Sequence, residues 1–255
     1  MILAIDVGNT NIVIGGIEDN KTVFSARCSS DRSKTADEYA LILSGILSMH
    51  GVSPDQIEGG ILSSVVPSLR DSLPKAVKIL AGKQILVVSP DLRTDLKLEM
   101  DNPRQMGSDL MVDAVAALAK YPAPMAVFDM GTATTMSIID RRGVYVGGHI
   151  IPGLRVSIDA LSGRAAQLPY VNLEAPKHFI GKNTVDCMQS GAIYSTAAML
   201  DGLVLRAREE FGSDLTAVIT GGLAPTVVPF CKEEIHLEPD LLVEGLKILY
   251  EKNKA

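Results

Sequence analysis

Apolar and polar positions along the chain change period in an order that is given twice. Residues 1–5 and 125–128 are unbroken apolar runs, each closed by an aspartate and a Gly/Thr turn. A second strand-like stretch starts directly after each turn, at 12–16 and at 136–140. Short apolar runs bounded by turn residues predict buried strands, so each aspartate sits where a strand turns over. In the first half, strands are expected at 2–6, 11–16 and 21–28. A helix follows at about 36–49, where Tyr39, Leu41, Ile42, Gly45, Ile46 and Met49 recur at spacings of three and four. Two β-rich runs, 60–65 and 84–88, flank a helical segment at about 69–80. The second half repeats the order with strands at 125–129, 135–140 and 144–150, a long helix at about 185–211, a strand at 216–220 and a closing helix at about 240–253. The join falls in a helical stretch at 107–121 that carries Leu110, Met111, Ala114, Val115 and Leu118 and ends before Pro122. Two packed domains, 1–117 and 118–255, are expected, with a hinge and no flexible tether.

Composition narrows the function classes. Hydrophobic residues make up 47% of the 255, yet no run approaches the roughly 18–20 apolar residues of a membrane helix. No basic leader precedes the first strand, so a secretory signal is not expected and a cytoplasmic protein is. A net charge of −6 without a Lys/Arg stripe gives no electrostatic footprint for nucleic acid. Cys28, Cys187 and Cys231 are far apart and odd in number, which predicts buried free thiols in place of a disulfide framework. The four histidines lack ligand spacing, so no structural zinc is expected.

The candidate chemistry lies in the two turns. Asp6-Val7-Gly8-Asn9-Thr10-Asn11 and Asp129-Met130-Gly131-Thr132-Ala133-Thr134-Thr135 are alike. Glycine lets backbone N–H groups approach an anion, threonine hydroxyls donate to its oxygens, and a carboxylate can hold the metal that accompanies a polyphosphate. The first turn alone is equally an ordinary hairpin and the threonines ordinary strand residues; the repetition favours phosphate. No Walker A loop is present. Gly221-Gly222, after the strand at 216–220, reads either as a plain strand-to-helix turn or as space for an adenine or ribose. Ser108 or Asp109 would cap the helix at the join, or Asp109 would serve as a general base that takes a proton from an alcohol attacking a γ-phosphate.

Strands, helix and further β/α units given twice match duplicated ribonuclease-H-like domains of the acetate kinase, sugar kinase, Hsp70 and actin superfamily, which binds ATP between its halves. More narrowly, the chain resembles the type III pantothenate kinases, the Bvg accessory factor family. The resemblance rests on Asp6 through Ile12, Ser63-Ser64-Val65-Val66-Pro67, Asp101-Asn102-Pro103 with Gly107-Ser108-Asp109, and Asp129 through Thr135. It continues through Gly147 to Gly153, Gly181 to Thr184 with Met188 to Gly191, Thr220 to Ala224, and Glu244 to Tyr250.

The resemblance implies ATP-dependent phosphorylation of pantothenate, the entry to coenzyme A. It implies an ATP phosphate loop at Asp6, Val7, Gly8, Asn9, Thr10, Asn11, Ile12 and Val13, with Asp6 near Mg²⁺, directly or through water. Thr132 becomes the second phosphate contact, Gly221 and Gly222 the adenosine side, Asp129 a ligand of K⁺ or NH₄⁺, and Asp109 the proton acceptor. Gly107, Ser108, Asp109 and the positions of Met100 and Leu110 belong to the substrate. Thr184 is a substrate contact supplied by the partner subunit of a homodimer. The family usually has Tyr and Arg where this chain has Met100 and Leu110. Losing a charged hydrogen bond of about 1.5–3 kcal/mol weakens binding of an acid roughly 10- to 150-fold. Three readings stay open: Arg104 or Arg164 supplies the missing cation, the acceptor is a different and less acidic alcohol, or the chain is a regulatory nucleotide-binding paralogue with little catalysis.

Overall fold

The computed structural model describes residues 1–19, 21–89 and 91–254. Its contacts divide it into unit 1, Met1–Leu96, Asn102–Ala116 and Leu241–Ala255, and unit 2, Lys97–Asp101 and Ala117–Asp240.

Unit 1 holds β1 (Ile2–Val7), β2 (Asn11–Glu18), β3 (Lys21–Ser29), α1 (Ala36–Met49), β4 (Gly59–Ser64), α2 (Pro67–Ala81) and β5 (Leu86–Val87). They form one sheet in the order β3-β2-β1-β4-β5, with β1 antiparallel to β2 and parallel to β4. Alternation along β1 divides the core. Leu3, Ile5 and Val7 pack with Tyr39, Leu43 and Leu47 of α1 and with Leu69, Leu73 and Val77 of α2. Ala4 and Ile61 point the other way, toward Met111, Val112 and Val115 of α3 (Ser108–Lys120) and Val243, Leu246 and Leu249 of α7 (Leu241–Asn253). Local chemistry agrees with these bounds. The Thr35 hydroxyl caps α1 by accepting from the Glu38 N–H while the Glu38 carboxylate accepts from the Thr35 N–H.

Unit 2 repeats the plan. Its strands are β6 (Lys97–Leu98), β7 (Met125–Met130), β8 (Ala133–Ile139), β9 (Val144–Pro152), β10 (Thr216–Thr220) and β11 (His236–Leu237), in the order β11-β10-β7-β8-β9-β6. The stretch β9-β8-β7-β10-β11 has the connectivity of β3-β2-β1-β4-β5, including an antiparallel β7–β8 pair and a parallel β7–β10 pair. α4 (Leu154–Arg164), α5 (Thr184–Phe211) and α6 (Ala224–Val227) complete the unit. α5 covers Phe128, Met136 and Ile219 through Ile193, Leu200 and Val204.

The structure corrects three expectations. The closing helix, assigned by sequence to the second domain, belongs to unit 1, because Val243, Leu246 and Leu249 complete the cover over Ala4 and Ile61. Residues 97–101, placed by sequence in the first domain, join unit 2 because β6 adds to the edge of its sheet beside β9. Of the three thiols expected to be buried, Cys28 and Cys231 are half-buried, whereas Cys187, in the first turn of α5, is exposed. α4 was not foreseen; only Leu154, Ile158 and Ser162 of its eleven residues are buried, too sparse a stripe to read in advance. Among the described residues, no helix is long and apolar enough to cross a membrane.

Candidate active site

In unit 1 the first turn joins β1 to β2. The Gly8 N–H donates to the Asn11 carbonyl at 3.0 Å, and Asn9, Thr10 and Asn11 are exposed. Ser30 holds the turn from β3: its hydroxyl donates to the Gly8 carbonyl at 2.6 Å and its N–H to the Thr10 carbonyl at 2.9 Å. Arg32 donates to Asn9 Oδ1 at 2.9 Å. Val7 and Ile12 are buried and anchor the loop, Val13 is half-buried, and so is Asp6, at the carboxyl end of β1. Asp6 is the register partner of Ser63 on the parallel strand β4, so their side chains leave the same face, the one that receives α3.

α3 brings Asp109 to that face. The helix opens at Ser108, whose Oγ lies 3.0 Å from Ser63 Oγ and accepts the Ser64 N–H at 3.1 Å. The Met111 N–H reaches the Gly107 carbonyl at 3.2 Å, so Gly107 occupies the capping position and Asp109 lies within the first turn. The Ser108 hydroxyl thus bonds across to β4, while Asp109, inside the first turn, satisfies one of the helix's own N–H groups. Asp109 Oδ1 accepts the Leu110 N–H at 2.9 Å. A Cβ on Gly107 would lie 2.4 Å from that same oxygen, so glycine leaves the space the carboxylate fills. Leu110 is half-buried. Asp109 is half-buried by surface, yet surrounding atoms desolvate its carboxyl enough to raise its pKa, and the opposing pull of the Leu110 N–H is smaller. A carboxylate with a raised pKa is suited to accept a proton.

Unit 2 holds the second turn. Asp129 is half-buried near the carboxyl end of β7, and Gly131 and Thr132 are exposed. The Gly131 N–H donates to the Ala133 carbonyl at 3.0 Å, and the Thr132 carbonyl accepts from Gly153, the residue that opens α4, at 3.1 Å. Gly221 backs onto this turn: Thr220 pairs with Asp129 across β10 and β7, and Gly221 has φ +99°. A Cβ there would lie 2.5 Å from the Met130 N and 2.6 Å from Asp129 Oδ1. The glycine is thus required by a close approach of backbone to carboxylate as well as by its φ. Gly222 beside it is exposed.

The remaining candidates are placed as follows. Thr184 is exposed at the start of α5, which Asn183 caps by accepting the Asp186 N–H at 2.9 Å. It lines a cavity of about 530 Å³ in unit 2 together with Thr134, Leu154, Ile158 and Met188. Met100 is half-buried after β6 in unit 2, Arg104 is exposed in a short turn of unit 1, and Arg164 is exposed at the end of α4. Ser63 and Ser64 carry no chemical motif of their own in the sequence beyond their block of the family resemblance. Their position just before a Pro-started helix, at the end of an apolar strand, is the signal that singles them out.

The sheet is duplicated, with an Asp/Gly/Thr turn after the first strand of each antiparallel pair. Solved structures agree at the level of fold. A Baf-family protein of Campylobacter jejuni, described as a transcriptional activator, matches with a TM-score of 0.58 at 18% identity over 98% of both chains. A protein of Sinorhizobium meliloti, described as a 2-dehydro-3-deoxygalactonokinase, matches with a TM-score of 0.60 at 13% identity, over 100% of this chain and 97% of that one. This is the duplicated ribonuclease-H-like fold of the sugar kinase and actin superfamily. The profile of the type III pantothenate kinases matches residues 2–206. Type III pantothenate kinases of an Exiguobacterium species and of Moorella thermoacetica are each 43% identical to the chain, over 100% and 99% of it and the whole of each relative. The chain belongs to the type III pantothenate kinase family.

Proposed function

We propose that this protein transfers the γ-phosphoryl group of ATP to the primary alcohol of pantothenate, giving 4'-phosphopantothenate for coenzyme A synthesis in the cytoplasm. The observation that carries this reading is Asp109. It is a carboxylate raised in pKa by burial and held, through its neighbour Ser108, at the end of β4 beside the strand that carries Asp6, in a chain similar over its whole length to pantothenate kinases. Asp109 accepts the hydroxyl proton as the alcohol oxygen attacks the γ-phosphorus, and ADP leaves with the electrons of the broken P–O bond. The exposed amides and side chains of Asn9, Thr10, Asn11 and Thr132 contact the phosphates, and Gly221 and Gly222 the adenosine.

The half-buried carboxylate of Asp6 suits a hard cation such as Mg²⁺, and that of Asp129 suits K⁺ or NH₄⁺. Bound there, such ions neutralise charge on the nucleotide. A homodimer in which the partner subunit supplies Thr184 is supported by the apolar side chains around that residue. Tyr170, Phe179, Ile180 and Val185 are 75%, 65%, 69% and 41% exposed, more than a single chain ordinarily leaves in one stretch.

A coupled ATP-consumption assay with pantothenate, with and without potassium, tests the reading. Turnover that falls about 10²- to 10⁴-fold in Asp109→Asn is expected, the usual worth of a positioned base. No turnover of pantothenate, in the native protein or after Leu110→Arg with Met100→Tyr, overturns it. A second reading, a kinase for a less acidic alcohol, is favoured by one feature: Leu110 lies beside Asp109 and offers no charge to an acid. Turnover with a neutral alcohol and none with pantothenate selects it.

A further inference from the structure

Ser108 precedes the proposed base directly, and its side chain contacts β4 in place of solvent. Its hydroxyl meets the Ser63 hydroxyl at 3.0 Å and the Ser64 N–H at 3.1 Å. Ser63 is completely buried and stands in register with Asp6 on the neighbouring strand. The result is a continuous line within unit 1 from Asp6, through Ser63 and Ser108, to Asp109. The carboxylate itself takes a hydrogen bond from the Leu110 N–H, its immediate neighbour. Its position therefore follows the backbone at 107–110, and Ser108 ties that backbone to the strand carrying Ser63.

We propose that the Ser63–Ser108 hydroxyl pair is a latch that positions Asp109 for proton abstraction relative to Asp6. The proposal rests on the reading of Asp109 as the base. A hydroxyl pair that merely satisfied each other would stabilise the fold wherever it lay. This pair lies at the first residue of α3, where a small shift of the helix start moves the carboxylate, and misplacing a reacting group by 1 Å can cost about 10²-fold in rate. Ser63 and Ser108 are thus positioning residues that act through Asp109.

The experiment is steady-state kinetics with ATP and pantothenate on Ser108→Ala, Ser63→Ala, the double variant and Ser108→Thr, with circular dichroism to confirm folding. Ser108→Ala is expected to lower kcat roughly 10- to 100-fold while KM for ATP stays within about twofold. Ser108→Thr, which keeps the hydroxyl, should recover most of the loss. The Ser63→Ala/Ser108→Ala protein should be no slower than the slower single variant, as for two halves of one contact. In an Asp109→Asn background, Ser108→Ala should lower the residual rate by a much smaller factor than it lowers the native one. Native kcat in Ser108→Ala overturns the latch, and so does an equal proportional loss with and without Asp109. A native protein that does not phosphorylate pantothenate overturns the kinase reading and the latch with it; a native protein that does, with an unaffected Ser108→Ala, overturns the latch alone.

Discussion

At the scale of single residues, the site is governed by where a carboxylate is placed and how much water reaches it. Burial raises the Asp109 pKa, so the folded state holds that proton more tightly than the unfolded chain. The sign follows from linkage: a raised carboxyl pKa favours folding at low pH and costs stability as pH rises above the unfolded value, about 3.9. Asp109→Asn should therefore raise Tm at neutral pH, with the difference vanishing near pH 3 in melts followed by circular dichroism. The same shift places the acid limb of kcat/KM above the range of an ordinary aspartate, and that limb should be absent from the residual activity of Asp109→Asn. Gly107→Ala tests the space around the same group. Its Cβ would meet Asp109 Oδ1 at 2.4 Å, so the carboxylate must turn away. A loss of about 10-fold or more in kcat is expected, with Tm changed little, because the clash is with a movable side chain and the displacement falls on a reacting group.

At the scale of elements, α7 shows how a segment remote in sequence becomes part of the first sheet's core. Its apolar stripe packs with Met111, Val112 and Val115 of α3 over Ala4 and Ile61. The same face, two residues further along β1 and β4, carries Asp6 and Ser63. Leu246 is completely buried, so Leu246→Ala should lower stability by about 2–5 kcal/mol in urea unfolding. Nucleotide affinity should fall much less, since Leu246 lies behind the site and not in it. The stripe was legible as a helix from its periodicity. Which sheet it would cover was not, because both halves of the chain offer an apolar face of similar character.

For the whole molecule, duplication is the organising fact. Two units with the same strand order each present an Asp/Gly/Thr turn after the first strand of the sheet. The units are not two consecutive halves of the chain, since the last helix returns to unit 1. Deleting residues 241–254 should therefore damage the first sheet and spare the second. Hydrogen exchange is expected to show β1 and β4 losing protection while β7 and β10 keep it. Equal loss in both sheets would count against this division of the chain.

The sequence by itself determined the longer strands, the two turns, the long helices and the family, because these depend on local period, turn chemistry and short motifs that survive in one dimension. It also pointed to Asp6, Asp109, Asp129 and Thr132. Tertiary structure alone decided that α7 covers the first sheet, that β6 extends the second, and that Gly221 is held against Asp129. It alone brought Ser108 to Ser63 across 45 positions of chain. Each of these is a contact between surfaces or hydroxyls that have many equivalent partners in the sequence and one in the fold. Their selection depends on packing, which no local pattern records.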